Sequence, residues 1–241
     1  MANSFFKFKQ FTVHQDKCAM KVCTDACLFG AWIASMNDTF FTSINNALDI
    51  GSGTGLLSLM FVQKNKNVVI DAVEIDEAAA NQAMQNFNTS PWKERLRIIN
   101  NDVLKISLPH TYQFIFSNPP FFENDLKSND AKRNIALHSA DLNLDELLNV
   151  IINNITLKGK FAILLPYHRS LFFEQLCLNN NFYLQEKVLI KATPHHHFFR
   201  CMLLFSSTKT ATIEKEIIIQ NQLAEYSSEF KELLSDYYLY L

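Results

Sequence analysis

The chain has 241 residues, of which 48% are hydrophobic and 19% are charged, and its formal net charge at pH 7 is −2. This length and composition predict a soluble, globular protein with one large core. The small net charge argues against a protein that coats nucleic acid with its whole surface, although it leaves room for a local basic patch. No apolar run is long enough to span a membrane and the N-terminus lacks a secretory signal, so we expect a cytoplasmic protein without a membrane partner.

Strand and helix patterns alternate through the middle of the chain. Strands are predicted at 45–50, 68–76, 95–102, 112–120, 159–166, 187–194 and 200–208. Helices are predicted at 56–64, 77–88, 142–157 and 171–180. Near-continuous apolar strands separated by helices are typical of a parallel sheet that is covered on both faces. We therefore predict a doubly wound α/β fold, in which the last two strands run antiparallel.

Two end signals complete this pattern. Gly159 follows the predicted helix at 142–157, where a helix C-cap is expected. The final segment, 224–241, predicts a docked helix with one apolar face, formed by Tyr226, Phe230, Leu233, Leu234, Tyr237 and Tyr238. No internal repeat and no linker of low complexity separates a second domain.

Three alternate glycines, Gly51, Gly53 and Gly55, follow the first predicted strand. A generic strand-to-helix turn needs only one glycine, so this spacing favours a backbone that approaches a ligand at a helix N-terminus. A dinucleotide site would place the third glycine one residue later. Asp49 precedes the glycines, and its carboxylate suits the cationic amino-acid end of S-adenosylmethionine better than a pyrophosphate. We predict S-adenosylmethionine as the cofactor.

Acidic residues end the next two strands at the same edge of the sheet. Glu74 is placed to accept hydrogen bonds from ribose hydroxyls, and Asp102 to meet the adenine amino group. Ile75 and Val103, which follow them, belong to the same predicted site. The alternative is that Asp76 and Asp102 are only helix caps.

The fourth strand ends in Asn118-Pro119-Pro120-Phe121. The Asn118 side-chain oxygen and the Pro119 carbonyl can accept both N–H groups of an aromatic amine and stabilise the charge that develops on its nitrogen. Phe121 can stack on the ring. The alternative is a plain strand stop, since proline cannot continue a sheet ladder. The motif predicts methyl transfer to a planar nitrogen without a metal.

These motifs, from Asp49 to Phe122, resemble those of the class I S-adenosylmethionine-dependent methyltransferases with an Asn-Pro-Pro-aromatic motif. The runs FKFKQF (6–11), DKCAMKVCTD (16–25) and LFGAW (28–32), and the C-terminal EFKELLSDYYL, are similar to the tRNA adenine-N6-methyltransferases that act on adenine 37 of a valine tRNA. The resemblance implies a Rossmann-like, mostly parallel seven-stranded sheet with an antiparallel edge strand.

The resemblance also implies roles for single residues. Three residues would form the lip of the cofactor site: Lys21, Thr24 and Asp25. The methionine part of the cofactor would be held by Asp49, Gly51 and Gly53, with Gly55 in the same loop. The target base would be held by Asn118, Pro119 and Phe121. Without the family, Lys21 and Asp25 could be an ion pair on a helix face. One domain is expected: an extension at 1–46 that covers the cofactor and contacts RNA, a core at 47–208, and a C-terminal strand and helix at 209–241.

The expected partner is tRNA, with no obligate protein partner. Basic residues that could hold it fall in three clusters: Lys7, Lys9, Lys17 and Lys21; Lys127, Lys132 and Arg133; and Lys187, Lys191, His195, His196, His197 and Arg200. Adjacent histidines in a strand point to opposite faces, so they rarely chelate one metal ion. We expect the third cluster to be a turn that contacts RNA, with a solvated loop as the alternative.

Five cysteines are present without a CxxC pair: Cys18, Cys23, Cys27, Cys177 and Cys201. Cys23 and Cys27 have a spacing that some zinc sites use, but no second ligand pair accompanies them, so we expect reduced cysteines and no metal. Three alternatives to tRNA methylation stay open at this point: methylation of guanine N2 in rRNA, methylation of a protein glutamine, and a nucleotide-binding module without methyl transfer.

Overall fold

The structure is a computed structural model that describes residues 3–18, 20–36, 40–120 and 143–241. Its strands are β1 (Phe5–Lys7), β2 (Thr12–His14), β3 (Asn46–Ile50), β4 (Val69–Glu74), β5 (Leu96–Asn100), β6 (Tyr112–Ser117), β7 (Ile155–Pro166), β8 (Tyr183–Lys191), β9 (Arg200–Ser206) and β10 (Ile213–Ile218). The α-helices of these residues are α1 (Thr24–Ser35), α2 (Leu56–Lys64), α3 (Glu77–Thr89), α4 (Leu144–Asn154), α5 (Ser170–Asn179) and α6 (Ser228–Leu234). The alternation of strands and helices agrees with the sequence prediction.

The central sheet confirms the predicted α/β class and corrects its details. Eight strands, not seven, pair in the order β10-β8-β9-β7-β6-β3-β4-β5. Strand β9 runs antiparallel to both β7 and β8 and lies inside the sheet, so the prediction of an antiparallel edge strand is wrong. The short loop after β8 forces β9 to return beside it, and β10 then pairs in parallel with the outer side of β8.

Two apolar clusters cover the two faces of the sheet. One contains α1, α2, α3 and α6, and the other contains α4 and α5. Helices α1 and α2 approach closely because Gly30 has no side chain: a Cβ there would lie 2.6 Å from the Met60 sulfur. This packing orders the sheet edge at which β3, β4 and β6 end.

The predicted end signals are corrected in part. Helix α4 ends at Asn154 and β7 begins at once, so Gly159 lies inside a strand and is not a helix cap. Pairing of the following residues with β6 outweighs the local C-cap signal. The C-terminal helix docks as predicted through Phe230 and Leu234, but it is shorter than predicted. Tyr237, just after it, donates from its hydroxyl to the Met60 carbonyl at 3.0 Å.

The N-terminal residues form the antiparallel hairpin β1–β2, which packs against α3 and against the residues that follow the C-terminal helix. Phe8 stacks on Phe11 at 4.5 Å between ring centres, and the Lys9 N–H donates to the Tyr237 carbonyl at 2.8 Å. None of the helices in the described residues is both long enough and apolar enough to cross a membrane.

Candidate active site

The glycine loop between β3 and α2 combines two different requirements for glycine. Gly55 has φ +79°, and a Cβ there would lie 2.4 Å from the Phe87 ring, so helix packing alone excludes any other residue. Gly51 has φ +71°, but a Cβ there would meet nothing within 4 Å. The bare backbone of Gly51 therefore borders open space, where a ligand can approach closely.

Asp49 lies completely buried beneath this loop. Its Oδ2 accepts a hydrogen bond from the Ser58 hydroxyl at 2.7 Å, whereas its buried Oδ1 has no hydrogen-bond partner within the part of the chain that the structure describes. The pKa of Asp49 is raised to about 7, chiefly by burial and also by the Glu74 charge, while the hydrogen bond from Ser58 partly offsets the rise. An unpaired carboxylate oxygen in a dry site is costly, so this atom is poised to accept a donor or a nearby positive charge.

Glu74 ends β4 and shapes the same loop. Its Oε2 accepts from the Gly53 N–H at 2.8 Å and its Oε1 from the Asp76 N–H at 2.9 Å. A carboxylate has about four acceptor positions, so both oxygens can still accept hydroxyl donors. Asp76 itself caps α3 by accepting from the Ala79 N–H at 2.8 Å, which confirms the cap alternative for that residue.

Asp102 follows β5 in a turn, not at a helix N-terminus. It accepts from the Leu104 N–H at 3.0 Å and pairs with Lys105 at 2.8 Å, and these two interactions lower its pKa. Beside it, Val103 is partly exposed, and Ile75 is 55% exposed at the end of β4. An exposed isoleucine at the carboxyl edge of the sheet offers an apolar contact for a flat ring.

The end of β6 lies directly beside the glycine-loop strand. Ser117 pairs in register with Ile50, and its hydroxyl donates to the Ile50 carbonyl at 2.8 Å. The next residue, Asn118, is partly exposed, and no hydrogen bond holds its side chain in the part of the chain that the structure describes. Pro119 is buried behind it and Pro120 is exposed. The predicted base-stacking residue Phe121 and the basic residues Lys127, Lys132 and Arg133 lie outside the described residues.

The N-terminal segment passes directly over the glycine loop and is held there by α3. The Asn86 amide accepts from the His14 N–H and donates to the carbonyls of His14 and Thr54, all at 2.9 Å. Gln82, one turn earlier, accepts from the Lys17 N–H at 3.2 Å. The Cys18 sulfur lies 4.0 Å from the position of a Cβ on Gly53. Asn86 therefore ties the covering segment to the loop itself.

The predicted lip residues have partners other than each other. The Lys21 ammonium donates to the Gln15 carbonyl, whereas Asp25 pairs with Arg200 at 3.0 Å. The alternative of a Lys21–Asp25 ion pair is therefore wrong, because Lys21 precedes α1 and does not share its face. Thr24, the first residue of α1, is exposed beside them.

The late basic cluster is divided by the fold. Lys187 is buried and pairs with Glu174 at 2.8 Å, and Lys191 pairs with Glu216 at 3.2 Å, so neither is a bare surface cation. The three histidines, His195–His197, are exposed in the loop between β8 and β9. Across the described ranges, no group of three or more His, Cys, Asp or Glu residues could hold a metal ion.

The family model for the methyltransferase small domain matches residues 33–163. A curated protein from Dyadobacter fermentans, named tRNA1(Val) (adenine(37)-N6)-methyltransferase, is 40% identical to this chain over 98% of both sequences. One of the same name from Bacteroides thetaiotaomicron is 38% identical over the whole of both sequences. The chain belongs to the tRNA1(Val) (adenine(37)-N6)-methyltransferase family. Membership in this family of class I methyltransferases implies that it uses S-adenosylmethionine.

Solved structures show the same fold at low identity to this family member. A predicted O-methyltransferase from Agrobacterium tumefaciens superposes with a TM-score of 0.68 at 13% identity, covering 88% of this chain and 96% of the other. A methyltransferase from Pyrococcus furiosus gives a TM-score of 0.53 at 22% identity, covering 76% and 83%. At these identities the likeness concerns the fold alone.

Sequence reasoning missed the contacts that three residues make at the site of this tRNA1(Val) (adenine(37)-N6)-methyltransferase family member, although it placed one of them, Arg200, in a basic cluster that could contact RNA. The three residues are Asn86, Ser117 and Arg200. Asn86 did have a signal, because it and Gln82 are polar residues, four apart, on the buried side of α3. The contacts of Ser117 with Ile50 and of Arg200 with Asp25 had no such signal, since the partners are 67 and 175 residues apart.

Proposed function

We propose that this protein transfers the methyl group of S-adenosylmethionine to the N6 amino group of an adenine in tRNA. Its substrate would be the one in the names of its relatives, adenine 37 of a valine tRNA. The observation that carries the proposal is the Asn118 side chain, which lies at the end of β6, one strand from the glycine loop, and has no hydrogen-bond partner among the described residues. A tRNA substrate also implies a cytoplasmic location.

The cofactor fits the loop described above. Bound S-adenosylmethionine supplies an electrophilic methyl group on a sulfonium. The backbone of Gly51 and Gly53 would contact its methionine part, and the unpaired Oδ1 of Asp49 would face the ammonium group directly or through one water molecule. Glu74 would accept from the ribose hydroxyls, since its oxygens retain acceptor positions.

The adenine of the cofactor would lie between apolar and polar groups at the ends of β4 and β5. The exposed Ile75 and the partly exposed Val103 would contact its faces. Asp102 would accept from its amino group, although Asp102 already pairs with Lys105. We therefore expect Asp102 to contribute less than Glu74 to affinity.

The target adenine would be bound by Asn118 and Pro119. The Asn118 amide oxygen and the Pro119 carbonyl accept the two N–H groups, so the nitrogen lone pair is directed away from the ring and toward the methyl group. As the nitrogen–methyl bond forms and the sulfur–methyl bond breaks, positive charge develops on the nitrogen and is stabilised by the two oxygens. The extra proton then leaves to water, so no strong base is required. Phe121 would stack on the base.

The proposal also gives a role to the N-terminal segment that covers the glycine loop. Residues 1–46 would form a lid over the cofactor and contact RNA, with Lys21, Thr24 and Asp25 at its lip. The support is that Asn86 fastens the His14 backbone to the carbonyl of Thr54 in the glycine loop. Residues 47–208 and 209–241 would be the core and its C-terminal strand and helix, within one methyltransferase domain.

The test is methylation of an unmodified valine tRNA transcript with labelled S-adenosylmethionine, followed by nucleoside analysis. Wild-type protein should form N6-methyladenosine. Asn118→Ala should reduce kcat about 10²- to 10³-fold, the effect of removing one group that stabilises developing charge. Its affinity for S-adenosylmethionine, measured by calorimetry, should stay unchanged.

Asn118→Asp keeps an acceptor oxygen and should retain more activity than Asn118→Ala. Asn149→Ala, at an exposed position of α4, is the matched control and should keep wild-type activity. Label in protein instead of RNA, or thermal stabilisation by NAD and not by S-adenosylmethionine, would contradict the proposal. Full activity of Asn118→Ala would exclude the assigned role of that side chain.

A further inference from the structure

A group of exposed aromatic and basic side chains follows β7 at the sheet edge that carries the active site. It consists of Tyr167, His168, Arg169, Phe172 and Phe199, called here the exit surface. Tyr167 is 41% exposed, Phe172 52% and Phe199 36%. Single exposed aromatics are ordinary on protein surfaces, but three on neighbouring segments require an explanation.

The two segments of the exit surface are joined by backbone and ring contacts. The Tyr167 N–H donates to the Phe199 carbonyl at 3.1 Å, and the Phe199 N–H donates to the Ile190 carbonyl at 3.0 Å. The Tyr167 ring packs on Phe198 at 5.5 Å between centres. These contacts hold the two segments together and pack the Tyr167 ring against its neighbour, and the Arg200 guanidinium lies 5.6 Å from the centre of the Phe199 ring.

The two chain segments that carry these rings contain basic residues and no acidic ones. Residues 167–172 and 191–200 contain three Lys or Arg residues and four histidines, but no Asp or Glu. Lys191 and Arg200 are neutralised by Glu216 and Asp25. Arg169 is exposed and forms no ion pair with any described residue. A fixed cation beside exposed rings suits a ligand with both phosphates and flat bases.

The exit surface is close to the base-binding position. Strand β7 is the parallel neighbour of β6, and Ile163 pairs in register with Ser117. Asn118 is therefore level with Leu164, and Tyr167 lies three residues further along, about 10 Å at the rise of a strand. A nucleotide strand that places one base at Asn118 would reach Tyr167 with a neighbouring nucleotide.

We propose that the exit surface binds unpaired nucleotides next to the target adenine. Bases would stack on Tyr167 and Phe199, and Arg169 would contact a phosphate. Bases of RNA loops are recognised in this way because they are unstacked and can lie on aromatic rings. The inference rests on the proposed function for the identity of the RNA. It adds which part of the protein holds the strand.

The test measures binding and methylation of an unmodified valine tRNA transcript separately. Tyr167→Ala should weaken RNA binding and raise the KM for tRNA about fivefold to a hundredfold, the usual range for one stacked base. Arg169→Gln should weaken binding and reduce the slope of log affinity against log salt by about 0.7, the value for one phosphate of a single strand. Neither variant should change the affinity for S-adenosylmethionine.

Conservative variants at the same positions and variants at distant positions distinguish a loss of RNA contact from a loss of protein stability. Tyr167→Phe should bind RNA like wild type, and Arg169→Lys should restore the salt slope. Lys158→Gln, at the other end of β7, and Tyr240→Ala, 88% exposed near the C-terminus, should leave RNA binding unchanged. Thermal melting of each variant reports any loss of folding.

Each outcome bears on one of the two proposals. If the wild-type protein methylates tRNA, and Tyr167→Ala and Arg169→Gln bind RNA as tightly as wild type, the proposal for the exit surface is wrong and the proposed function stands. If the wild-type protein binds RNA through these residues but does not methylate it, the proposal for the exit surface is supported and the proposed function is contradicted. Wild-type protein that binds no RNA, or these variants losing binding of a protein substrate instead, would overturn the exit surface.

Discussion

The proposed cofactor half of the site, around the glycine loop, and the proposed base half, at the end of β6, are built differently. Beneath and above the glycine loop, Glu74, Asn86 and Ser58 each hold a neighbour through short hydrogen bonds. At the end of β6, the Asn118 side chain forms no hydrogen bond with the described residues. On the exit surface, Arg169 forms no ion pair with them, and aromatic rings are exposed to solvent. The first half is held by hydrogen bonds within the protein, whereas the second presents polar groups and rings without such bonds among the described residues.

This difference has a physical reason. Hydrogen bonds within the protein fix a loop whose bare backbone must approach one small molecule closely. A large, polyanionic substrate instead needs exposed rings and charges, because stacking and phosphate contacts form only when it binds. Changes in the cofactor half should therefore alter cofactor affinity together with folding, and changes in the base half should leave both intact.

Asp49 gives the largest expected effect in the cofactor half. Asp49→Asn removes the carboxylate beside the proposed ammonium position and should weaken S-adenosylmethionine binding about 10- to 100-fold at pH 8. Wild-type affinity should fall by up to about tenfold per pH unit below about 7, the raised pKa of Asp49, because a bound cation favours the ionised form. Calorimetry across pH measures both effects.

The same raised pKa predicts a stability effect without ligand. The folded protein retains a proton on Asp49 that the unfolded chain loses above about 3.8, so the stability contribution of this group is present below that pH and declines up to about pH 7. Relative to wild type, Asp49→Asn should therefore become more stable as pH rises from 4 to 7. The exposed Asp145→Asn is the control. If the affinity of the wild-type protein for S-adenosylmethionine does not change with pH, the role assigned to Asp49 in cofactor binding is ruled out.

Asn86 tests the lid and should have an intermediate effect. Asn86→Ala removes the three hydrogen bonds that the Asn86 side chain makes to the covering segment and the glycine loop, so the KM for S-adenosylmethionine should rise about tenfold while kcat at saturation changes little. Asn81→Ala and Asn88→Ala, exposed on the same helix, should behave as wild type in steady-state kinetics. A lower melting temperature with an unchanged KM would show that Asn86 serves folding alone.

Ser117 lies where the two halves meet and should have the smallest effect. Ser117→Ala leaves the Ile50 carbonyl without its 2.8 Å donor, but the β3–β6 ladder still holds both strands. We expect a loss of about 1 kcal/mol, which lowers the melting temperature by about 2–4 °C, and less than a fivefold change in kcat. Differential scanning calorimetry and kinetics measure these quantities, with exposed Ser43→Ala as the control. A hundredfold loss of kcat would mean that this bond aligns Asn118.

Sequence patterns predicted the strands and helices of the core because these depend on local periodicity. The glycine loop, Glu74 and Asn118 could also be placed at one edge, since the carboxyl ends of parallel strands meet there. The inner position of β9, the pairing of the C-terminal strand β10 with β8, and the start of β7 at Ile155 directly after α4 could not be predicted. Each depends on which strands pair across long stretches of chain, and local signals such as Gly159 are weaker than that pairing.

The sequence by itself determined the fold class, the family resemblance and the residue types available for methyl transfer, because motif spacing along the chain carries that information. Only the tertiary structure decided which of these residues have partners. It placed Asp49 beneath the loop with an unpaired oxygen, joined Asp25 to Arg200, fastened the lid through Asn86, and brought Tyr167 beside Phe199. Burial and hydrogen bonding are properties of atoms brought together from distant positions, so no local pattern can specify them.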